Sequence, residues 1–246
     1  MGVKRGGVLF VQADDRVLAA VRLEQLVDAL LEAVGPEGAV VMSAATPENS
    51  PHSAYTRAAL AGLTNSAQEV CRSCMPPFDR ATTPVSASAG ALAEVLRRHP
   101  AGLRSAHPQH SFVAVGRWAD YLMAGHRLDS PHGEHSPLLR LYQSHAQALL
   151  LGVPLSRCLA WNLAAERLPP PLTRGDSCVV RADGGSREWV AATSVAVPDP
   201  GVPELVEQME THLPLQRGTV ADGTALVVPV EVGVDLVTSW LTDITG

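Results

Sequence analysis

Lysine is almost missing from this chain of 246 residues, in which Lys4 is the only one. A phosphate-binding loop of the G-x-x-x-x-G-K-[ST] type needs a lysine, and the chain has no such motif. No G-x-G-x-x-G follows the first apolar run, so the dinucleotide-binding fingerprint is missing too. Charged residues make up 18% and the net charge is −6. Nucleic-acid binding calls for a basic patch, so we expect no nucleic-acid partner.

Long apolar runs are also missing. None approaches the ~20 residues that a membrane-spanning helix needs, and the apolar stretch near residue 10 is too short for a signal peptide. We therefore expect a cytoplasmic protein with no membrane partner. Cysteine is sparse, with four in the chain. Cys71 and Cys74 form one C-x-x-C pair without a second pair at zinc-ribbon spacing, so two reduced thiols are the simpler interpretation and a zinc or redox site the alternative.

The signatures of common hydrolases do not occur. The chain has no G-x-S-x-G, which disfavours a serine hydrolase, and no H-E-x-x-H. The nearest approach to a metal motif is "HGEH", in which His132 and His135 are three residues apart. Gly133 between them disfavours the helix that such a metal-binding pair would need. We therefore expect no metal.

The segments that are present alternate between strands and helices. Residues 6–11 and 39–43 read as strands, and the apolar residues of 23–34 recur at helical spacing. Helices are also predicted at 90–99, 117–124, 136–147, 157–168, 203–212 and 233–244, strands at 111–116, 148–153 and 225–230, and a β-hairpin at 177–197. Residues 44–89 form a long irregular excursion of the kind that often carries a binding surface. The pattern predicts a single α/β domain over residues 1–246 with an antiparallel insertion in its later half.

One segment concentrates polar chemistry. "YLMAGHRLDSPHGEHSPL", residues 121–138, holds three histidines and two carboxylates between prolines and glycines. Ser136 and Pro137 suit the N-cap and first position of a helix. From the residues alone, this segment is a catalytic loop, a metal site or a polar surface loop.

Several segments taken together resemble one family. They are "VDALLEAVGPEGAVVM" (27–42), "PPFDRATTP" (76–84), "GALAEVLRRHPAGLRSAHPQHSFVAVG" (90–116), "HRLDSPHGEHSPLLRL" (126–141) and "ALLLGV" (148–153). This set resembles the aminoglycoside 3-N-acetyltransferases, also called antibiotic N-acetyltransferases, over residues 6–244. The resemblance implies a central mixed sheet flanked by helices. It also implies acetyl-CoA or another acyl thioester as donor and a primary amine of a small molecule as acceptor. The resemblance is compatible with a homodimer.

The resemblance also implies roles for particular residues. The family's His-x-x-Asp falls on His126 and Asp129. A histidine near neutral pKa would take the proton that an ammonium must lose before it attacks a thioester, and the aspartate would orient it. The third catalytic candidate is Glu166. Cofactor contacts are implied for Thr82, Thr83, Arg104, Ser105, Ser111, Phe112 and Ser136, the last because a helix N-terminus offers N–H donors to an oxyanion. Substrate contacts are implied for Asp14, Asp15, His107, Glu134 and Asn162.

Two departures from the family keep three interpretations open. Where the family has a His-Ser-Ser-Leu-like stretch in its CoA site, this chain has "QADD" (12–15), and carboxylates are unfavourable beside phosphates. In the helix after residue 153, Asn162 takes the place of a family histidine, and either Ala165 or Glu166 that of a glutamate.

The first interpretation is an acyltransferase of secondary metabolism acting on an amine other than a standard aminoglycoside. The second is a homologue that binds without transfer. The third is a changed reaction, such as thioester hydrolysis or a cyclisation, that uses Cys158 or Cys71.

Overall fold

The centre of the protein is a mixed sheet of seven strands. A computed structural model describes residues 2–168, 173–182, 184–195 and 202–245. The strands are β1 (Val8–Ala13), β2 (Ala39–Ser43), β3 (Leu103–Arg104), β4 (Phe112–Gly116), β5 (Gln147–Leu151), β6 (Thr173–Arg181), β7 (Arg187–Val195), β8 (Gln216–Val220) and β9 (Gly223–Pro229). Their order in the large sheet is β3-β4-β2-β1-β5-β9-β8, and β6 pairs with β7 in a separate antiparallel ribbon.

The middle of the sheet is parallel and its margins are antiparallel. β1 pairs in parallel with both β2 and β5, whereas β4 and β9 run antiparallel to their neighbours. Since β4 is antiparallel to β2, its first residue, Phe112, lies opposite Ser43, the last residue of β2. The ends of β1, β2 and β5 and the start of β4 therefore meet at one edge of the sheet. Below we call this the carboxyl edge.

Helices cover both faces of the sheet, which explains why the central strands are apolar throughout. Those of the described residues are α1 (Leu23–Val34), α2 (Ala54–Leu60), α3 (Asn65–Ser73), α4 (Ala91–Arg98), α5 (Ala119–Met123), α6 (Pro137–Gln143), α7 (Asn162–Glu166), α8 (Pro203–His212) and α9 (Val230–Thr245). α1 and α4 bury their apolar residues against one face, and α5 to α9 bury theirs against the other. Successive residues of a strand point to opposite faces of the sheet, so Phe10 of β1 packs in the hydrophobic core on one face and Val11 in the core on the other.

The excursion at 44–89 contains α2 and α3 and contacts the ribbon β6–β7. The Phe78 N–H donates to the Val179 carbonyl at 2.8 Å. The Asn49 side chain donates to the same carbonyl at 2.6 Å and to the Pro76 carbonyl at 3.1 Å. These bonds fasten the ribbon to the excursion, so two segments far apart in sequence form one layer.

The predicted α/β fold with its antiparallel insertion is confirmed, and two helix predictions are corrected. The helix predicted to reach residue 147 ends at Gln143, because His145 has a left-handed φ of 50° that helical residues do not adopt. Of the helix predicted at 157–168, only Asn162–Glu166 is α-helical, and 3₁₀ turns precede it. The helices α2 and α3 and the strand β8 were not predicted, and they bury few or none of their residues.

Candidate active site

Residues from loops distant in sequence meet at the carboxyl edge of the sheet. In α/β sheets, ligands bind in crevices outside the carboxyl ends of the strands. Here the segment between β3 and β4 lies against the 126–136 loop, which connects α5 to α6. The same loop contacts Glu166 at the end of α7. The sheet thus brings most of the predicted catalytic segment to the place where a ligand is expected.

His126 is held by hydrogen bonds at both ring nitrogens. Its Nε2 lies 3.1 Å from the Pro131 carbonyl oxygen, which can only accept, so Nε2 carries the proton. Its Nδ1 lies 2.9 Å from the Ser105 hydroxyl. That hydroxyl already accepts from the Phe112 N–H at 2.9 Å, so its own proton points to Nδ1. The three partners define one neutral tautomer of His126.

Burial keeps His126 neutral. The residue is 6% exposed, and desolvation lowers its pKa to about 3, against a smaller raising effect of the Pro131 carbonyl. A ring with this pKa and with both nitrogens engaged is a poor proton acceptor as it stands. The geometry therefore supports His126 as the residue that ties Ser105 to the 126–136 loop.

Asp129 does not orient His126, which corrects the pair expected from the His-x-x-Asp spacing. Its two oxygens instead accept from Arg127 at 2.9 and 2.6 Å. Side-chain hydrogen bonds from Arg127 lower the pKa of Asp129, whose side chain is 55% exposed. The nearer and more exposed arginine takes the carboxylate, because turning it toward the buried imidazole would strip it of water.

His126 is the first member of a row of four histidines. Ring centroids are 4.9 Å apart for His126 and His107, 5.2 Å for His107 and His110, and 4.8 Å for His110 and His132. Desolvation lowers the pKa of all four, to about 4 for His110 and well below the usual range for His107 and His132. Charged imidazoles at this spacing would also repel one another. The row is therefore a neutral polar wall.

His107 is the innermost ring of that row. It is 1% exposed, and its Nδ1 accepts from the backbone N–H groups of Gln109 and His110, each at 3.2 Å. The protonated nitrogen is therefore Nε2, and the Leu128 backbone has a small raising effect on the pKa of the ring against the larger lowering effect of desolvation. With 1% of its surface exposed, His107 offers little surface to a substrate, and its predicted substrate contact stays a prediction. The ring shapes the inner wall of the site.

Of the three predicted catalytic residues, Glu166 is the one with a carboxylate oxygen that accepts no hydrogen bond from the described residues. Its Oε1 accepts from the His132 N–H at 2.9 Å, and no hydrogen bond to Oε2 comes from the described residues. Desolvation raises the pKa of Glu166 to about 7, against a smaller lowering effect of the His132 N–H. Gly133 permits this packing, because a Cβ there would collide with Oε2 of Glu166. A carboxyl that is half ionised near pH 7 suits general acid–base chemistry.

Most residues assigned to the cofactor are structural. Arg104 is 4% exposed and donates to the Ser111 hydroxyl at 2.9 Å and to the carbonyls of Thr83 and Ala44, both at 2.5 Å. Its guanidinium lies over the Phe78 ring, and desolvation lowers its pKa to about 10. All three guanidinium nitrogens of Arg104 therefore donate to acceptors within the protein. The structure therefore gives Arg104 an internal structural role, and its phosphate contact stays a prediction.

The other assigned cofactor residues have internal roles too. Thr82 and Thr83 form a turn with Asp79, whose carboxylate accepts from the Thr82 N–H and whose own N–H donates to the Thr83 hydroxyl. The remaining four members of the set, Ser105, Ser111, Phe112 and Ser136, are at most 2% exposed. Ser136 is confirmed as the N-cap of α6, since it accepts from the Leu138 N–H at 3.2 Å. The same bond occupies one of the N–H groups at the helix N-terminus that was expected to meet an oxyanion.

A cavity of about 690 Å³ opens at the ends of β1 and β5. It is lined by Ala13, Asp14, Asp15, Arg16, Ala87, Ser88, Gly90, Gly152, Val153, Pro154 and Arg157. None of the residues assigned to the cofactor lines it, whereas Asp14 and Asp15, assigned to the substrate, do. The excursion at 44–89, expected to carry a binding surface, includes Ala87 and Ser88 of this lining, whereas no pattern in the sequence pointed to the segment 152–157. The glycines and serine of the lining are recognisable as such only once the strand order is known.

Both carboxylates in the cavity already have partners. Asp14 accepts from Arg16 at 2.6 to 3.2 Å, and side-chain hydrogen bonds from Arg16 lower its pKa to about 2. Both oxygens of Asp15 lie 3.0 Å from the Ala91 N–H, at the first turn of α4. Asp15 thus caps α4 from a loop 76 residues away. Asp14 of "QADD" is thus paired with a cation, and Asp15 with the N-terminus of a helix.

The remaining polar predictions have mixed outcomes. Glu134 pairs with Arg167 at 2.7 Å on the outer side of the loop. Asn162 opens α7 with a half-buried side chain. Gln12, which stands where the family has a histidine, accepts from the Leu159 N–H at 2.7 Å and donates to the Arg157 carbonyl at 3.3 Å. His110 and His132 complete the wall of the site, and sequence reasoning had given neither of them a role.

The structure also bears on thiol, metal and membrane chemistry. Cys158 is 2% exposed and desolvation raises its pKa to about 12, which contradicts a nucleophilic role. Cys71 and Cys74 are free thiols at the surface. Across the part of the chain that the structure describes, no three histidine, cysteine or carboxylate side chains are grouped to hold a metal ion. Within the same residues, no helix is long and apolar enough to cross a membrane.

Fold and site together define an α/β protein with a polar, histidine-lined site and a cavity of small-molecule size at the carboxyl edge of its sheet. The chain belongs to the aminoglycoside 3-N-acetyltransferase family, whose sequence pattern matches residues 16–242. This assignment confirms the resemblance seen in the sequence.

Three relatives illustrate the relationship. Aminoglycoside N(3)-acetyltransferase III of Salmonella is 37% identical over 166 residues, which are 67% of this chain and 56% of that protein. The chain therefore aligns with little more than half the length of that relative. The aminoglycoside N(3')-acetyltransferase-like protein YokD of Bacillus subtilis is 25% identical over 98% of this chain and 88% of its own. Its crystal structure has a TM-score of 0.87 with the same coverage. A structure of AAC-IIIb with CoASH has a TM-score of 0.80 at 24% identity, covering 98% of this chain and 92% of that one.

Proposed function

We propose that this chain is an N-acetyltransferase that transfers the acetyl group of acetyl-CoA to a primary amine of a small molecule. Membership of the family supports the reaction class. The observation that carries the proposal for this chain is Glu166, a half-buried carboxyl with a pKa of about 7 and a free oxygen at the carboxyl edge of the sheet. An amine must be deprotonated to attack a thioester, and this carboxyl is matched to that task.

Glu166 is the proposed general base in place of His126. The carboxylate oxygen Oε2 would accept the proton from the attacking nitrogen, and the His132 N–H would hold the carboxylate in place through Oε1. His126 would act indirectly, because its bonds to Ser105 and Pro131 set the position of the loop that carries His132. This replaces the histidine base and aspartate orienter inferred from the resemblance.

The cavity fits an acyl-CoA donor in size and in part of its chemistry. Acetyl-CoA, when bound, supplies an activated acetyl thioester. Arg157 and Arg16 are exposed cations on the lining that would hold phosphates, and Val153 and Pro154 offer apolar contact to the pantetheine arm. The ion pair of Arg16 with Asp14 leaves Arg157 as the stronger candidate.

The experiment that tests this function compares Glu166→Gln with the parent protein. The activity measured is thiol release from acetyl-CoA in the presence of a panel of primary amines. We expect kcat/KM to fall by about 10²-fold and the rise of activity through pH 7 to disappear, because glutamine cannot take up the proton. Glu134→Gln is the matched control, since it removes a carboxylate from the adjacent loop that pairs with Arg167. Equal pH profiles for parent and Glu166→Gln would exclude Glu166 as the base.

A second candidate function is binding of a small molecule without acetyl transfer. The observation that favours it is Asp15, whose carboxylate occupies the N–H at the start of α4 inside the cavity. Helix N-termini are common phosphate sites, so this carboxylate competes with the donor. Calorimetric titration with acetyl-CoA separates the two functions: saturable binding supports the transferase, and absence of binding supports the alternative.

A further inference from the structure

The carboxylates around Glu166 are already paired with arginines of the same chain. Arg127 binds both oxygens of Asp129, at 2.9 and 2.6 Å. Arg167, next to Glu166 in sequence, binds Glu134 at 2.7 Å and stacks on Tyr142 at 4.4 Å. Glu166 itself has no cationic partner among the described residues. Of the three carboxyl groups on this loop and helix, two are therefore neutralised before any ligand arrives.

Three further acidic groups at the carboxyl edge also have hydrogen-bonding partners within the chain, and of these only Asp14 is paired with an arginine. Asp14 forms a bidentate pair with Arg16, and Asp15 binds the Ala91 N–H. Asp176, whose charge acts on His110, accepts from the Ser50 hydroxyl at 2.5 Å and the Ser177 N–H at 2.7 Å. The four histidines add no negative charge. Both bonds to Asp176 end on its Oδ1, on the ribbon β6–β7. Of the described carboxyl groups on the 126–136 loop and α7, Glu166 is therefore the one that keeps an oxygen without a hydrogen-bonding partner and has no cationic partner.

This charge arrangement matters for the acceptor. Each ammonium group that enters a partly desolvated site needs a carboxylate or another acceptor, because an unpaired charge there is strongly unfavourable. An aminoglycoside carries several ammonium groups at neutral pH. A molecule with a single amino group needs only Glu166, which takes its proton and thereby removes the charge.

We propose that Arg127 and Arg167 are specificity residues that disfavour polycationic acceptors, and that the acceptor of this protein is a small molecule with a single amino group. The inference rests on the proposed function for the identity of the reaction. The charge argument itself rests only on the ion pairs, so binding measurements test it independently of turnover.

The test uses Arg127→Gln, which frees Asp129 on an exposed part of the loop. The Arg127 side chain is 57% exposed, so the variant is expected to fold, which its melting curve checks. The probe is sisomicin, an aminoglycoside with several amino groups, titrated by calorimetry at low salt. We expect its affinity to rise about two- to fivefold over the parent protein, the range expected for one exposed ion pair. The gain should disappear in high salt, which screens exposed charges.

Arg117→Gln is the matched control. It makes the same change of charge but frees Glu37, whose pair with Arg117 at 3.0 Å lies beside the start of β2, at the opposite edge of the sheet. A gain with Arg117→Gln equal to that of Arg127→Gln would reveal a general charge effect and overturn the proposal. Arg167→Gln, which frees Glu134, is the second variant and should reproduce the gain.

Turnover separates this inference from the proposed function. With acetyl-CoA as donor, we expect kcat/KM of the parent protein to be at least tenfold higher for glucosamine, a sugar with one amino group, than for sisomicin. Equal affinity of sisomicin for the parent protein and for both arginine variants refutes the specificity role. If neither amine is acetylated, the proposed acetyltransferase activity is contradicted. The calorimetric comparison still tests the role of Arg127 and Arg167 in that case.

Discussion

Replacing Glu166 with glutamine should change the pH dependence of stability in a direction that the structure fixes. The pKa of Glu166 is raised from 4.5 to about 7, mainly by desolvation. The folded protein therefore binds this proton more tightly than the unfolded chain does. The resulting stabilisation is fully present below pH 4.5 and is lost as the pH rises through 7. Glutamine does not titrate, so the stability of the variant relative to the parent protein rises with pH.

The expected magnitude follows from the pKa shift. A shift from 4.5 to about 7 corresponds to about 3 kcal/mol in total, of which about 2 kcal/mol falls between about pH 5.5 and 8.5. Glu166 is only partly buried, and solvent screening reduces that figure to about 1 kcal/mol. The side-chain oxygen of the introduced glutamine still accepts from the His132 N–H, so the known hydrogen bond is kept.

Urea unfolding of both proteins at about pH 5.5, 7.0 and 8.5 measures this change. The free-energy difference, variant minus parent, should increase by about 1 kcal/mol across the range. The parallel series with Glu134→Gln controls for the loss of one negative charge nearby. A difference that is constant with pH, or one that decreases as the pH rises, would refute the raised pKa and with it the proposed base.

Three further predictions concern other residues at the carboxyl edge of the sheet. His126→Ala should lower the unfolding free energy by about 2–3 kcal/mol, because it leaves Ser105 and the Pro131 carbonyl without their buried partner. The control variant His135→Ala, at the surface, should change the unfolding free energy by less than about 0.5 kcal/mol. His110→Asn should flatten the acid side of the stability curve. The pKa of His110 in the folded protein is about 4, so its contribution to the unfolding free energy is lost as the pH falls from 6.5 toward 4, by about 2 kcal/mol between about pH 7 and 5. Denaturation of the parent protein and the variant at both pH values measures this loss. An equal change of unfolding free energy with pH in the two proteins would contradict the burial of this ring. Asp15→Ala should cost about 1 kcal/mol through loss of the cap on α4, and Asp15→Asn should restore most of it; equal melting temperatures for all three proteins would show that the cap contributes nothing.

Much of the architecture could be predicted because it depends on local patterns. The apolar runs of β1, β2 and β5 and the helical spacing of α1 follow directly from burial on both faces of a parallel sheet. The cap at Ser136 was predictable for the same reason, since it is set by residues within one turn. The helices α2 and α3 could not be predicted because few of their residues are buried.

The candidate site was harder to predict because its partners come from distant segments. The spacing of His126 and Asp129 suggested a pair, but the pairing was decided by Arg127 and Ser105, whose positions depend on the fold. Arg104 shows the same limit. Its charge suggested a phosphate contact, and only the packing of Ala44 and Thr83 around it reveals an internal role.

The strand order also has a consequence for how the chain is synthesised. β1 lies between β2 and β5 in the sheet, and its register with β5 pairs Leu9 with Gln147. Until residues 147–151 have left the ribosome, one edge of β1 has no partner, and an unpaired apolar strand edge favours aggregation. The cavity, which needs Gly152 to Arg157, cannot exist before that moment. A truncated product that ends before residue 147 would therefore be both inactive and prone to aggregate.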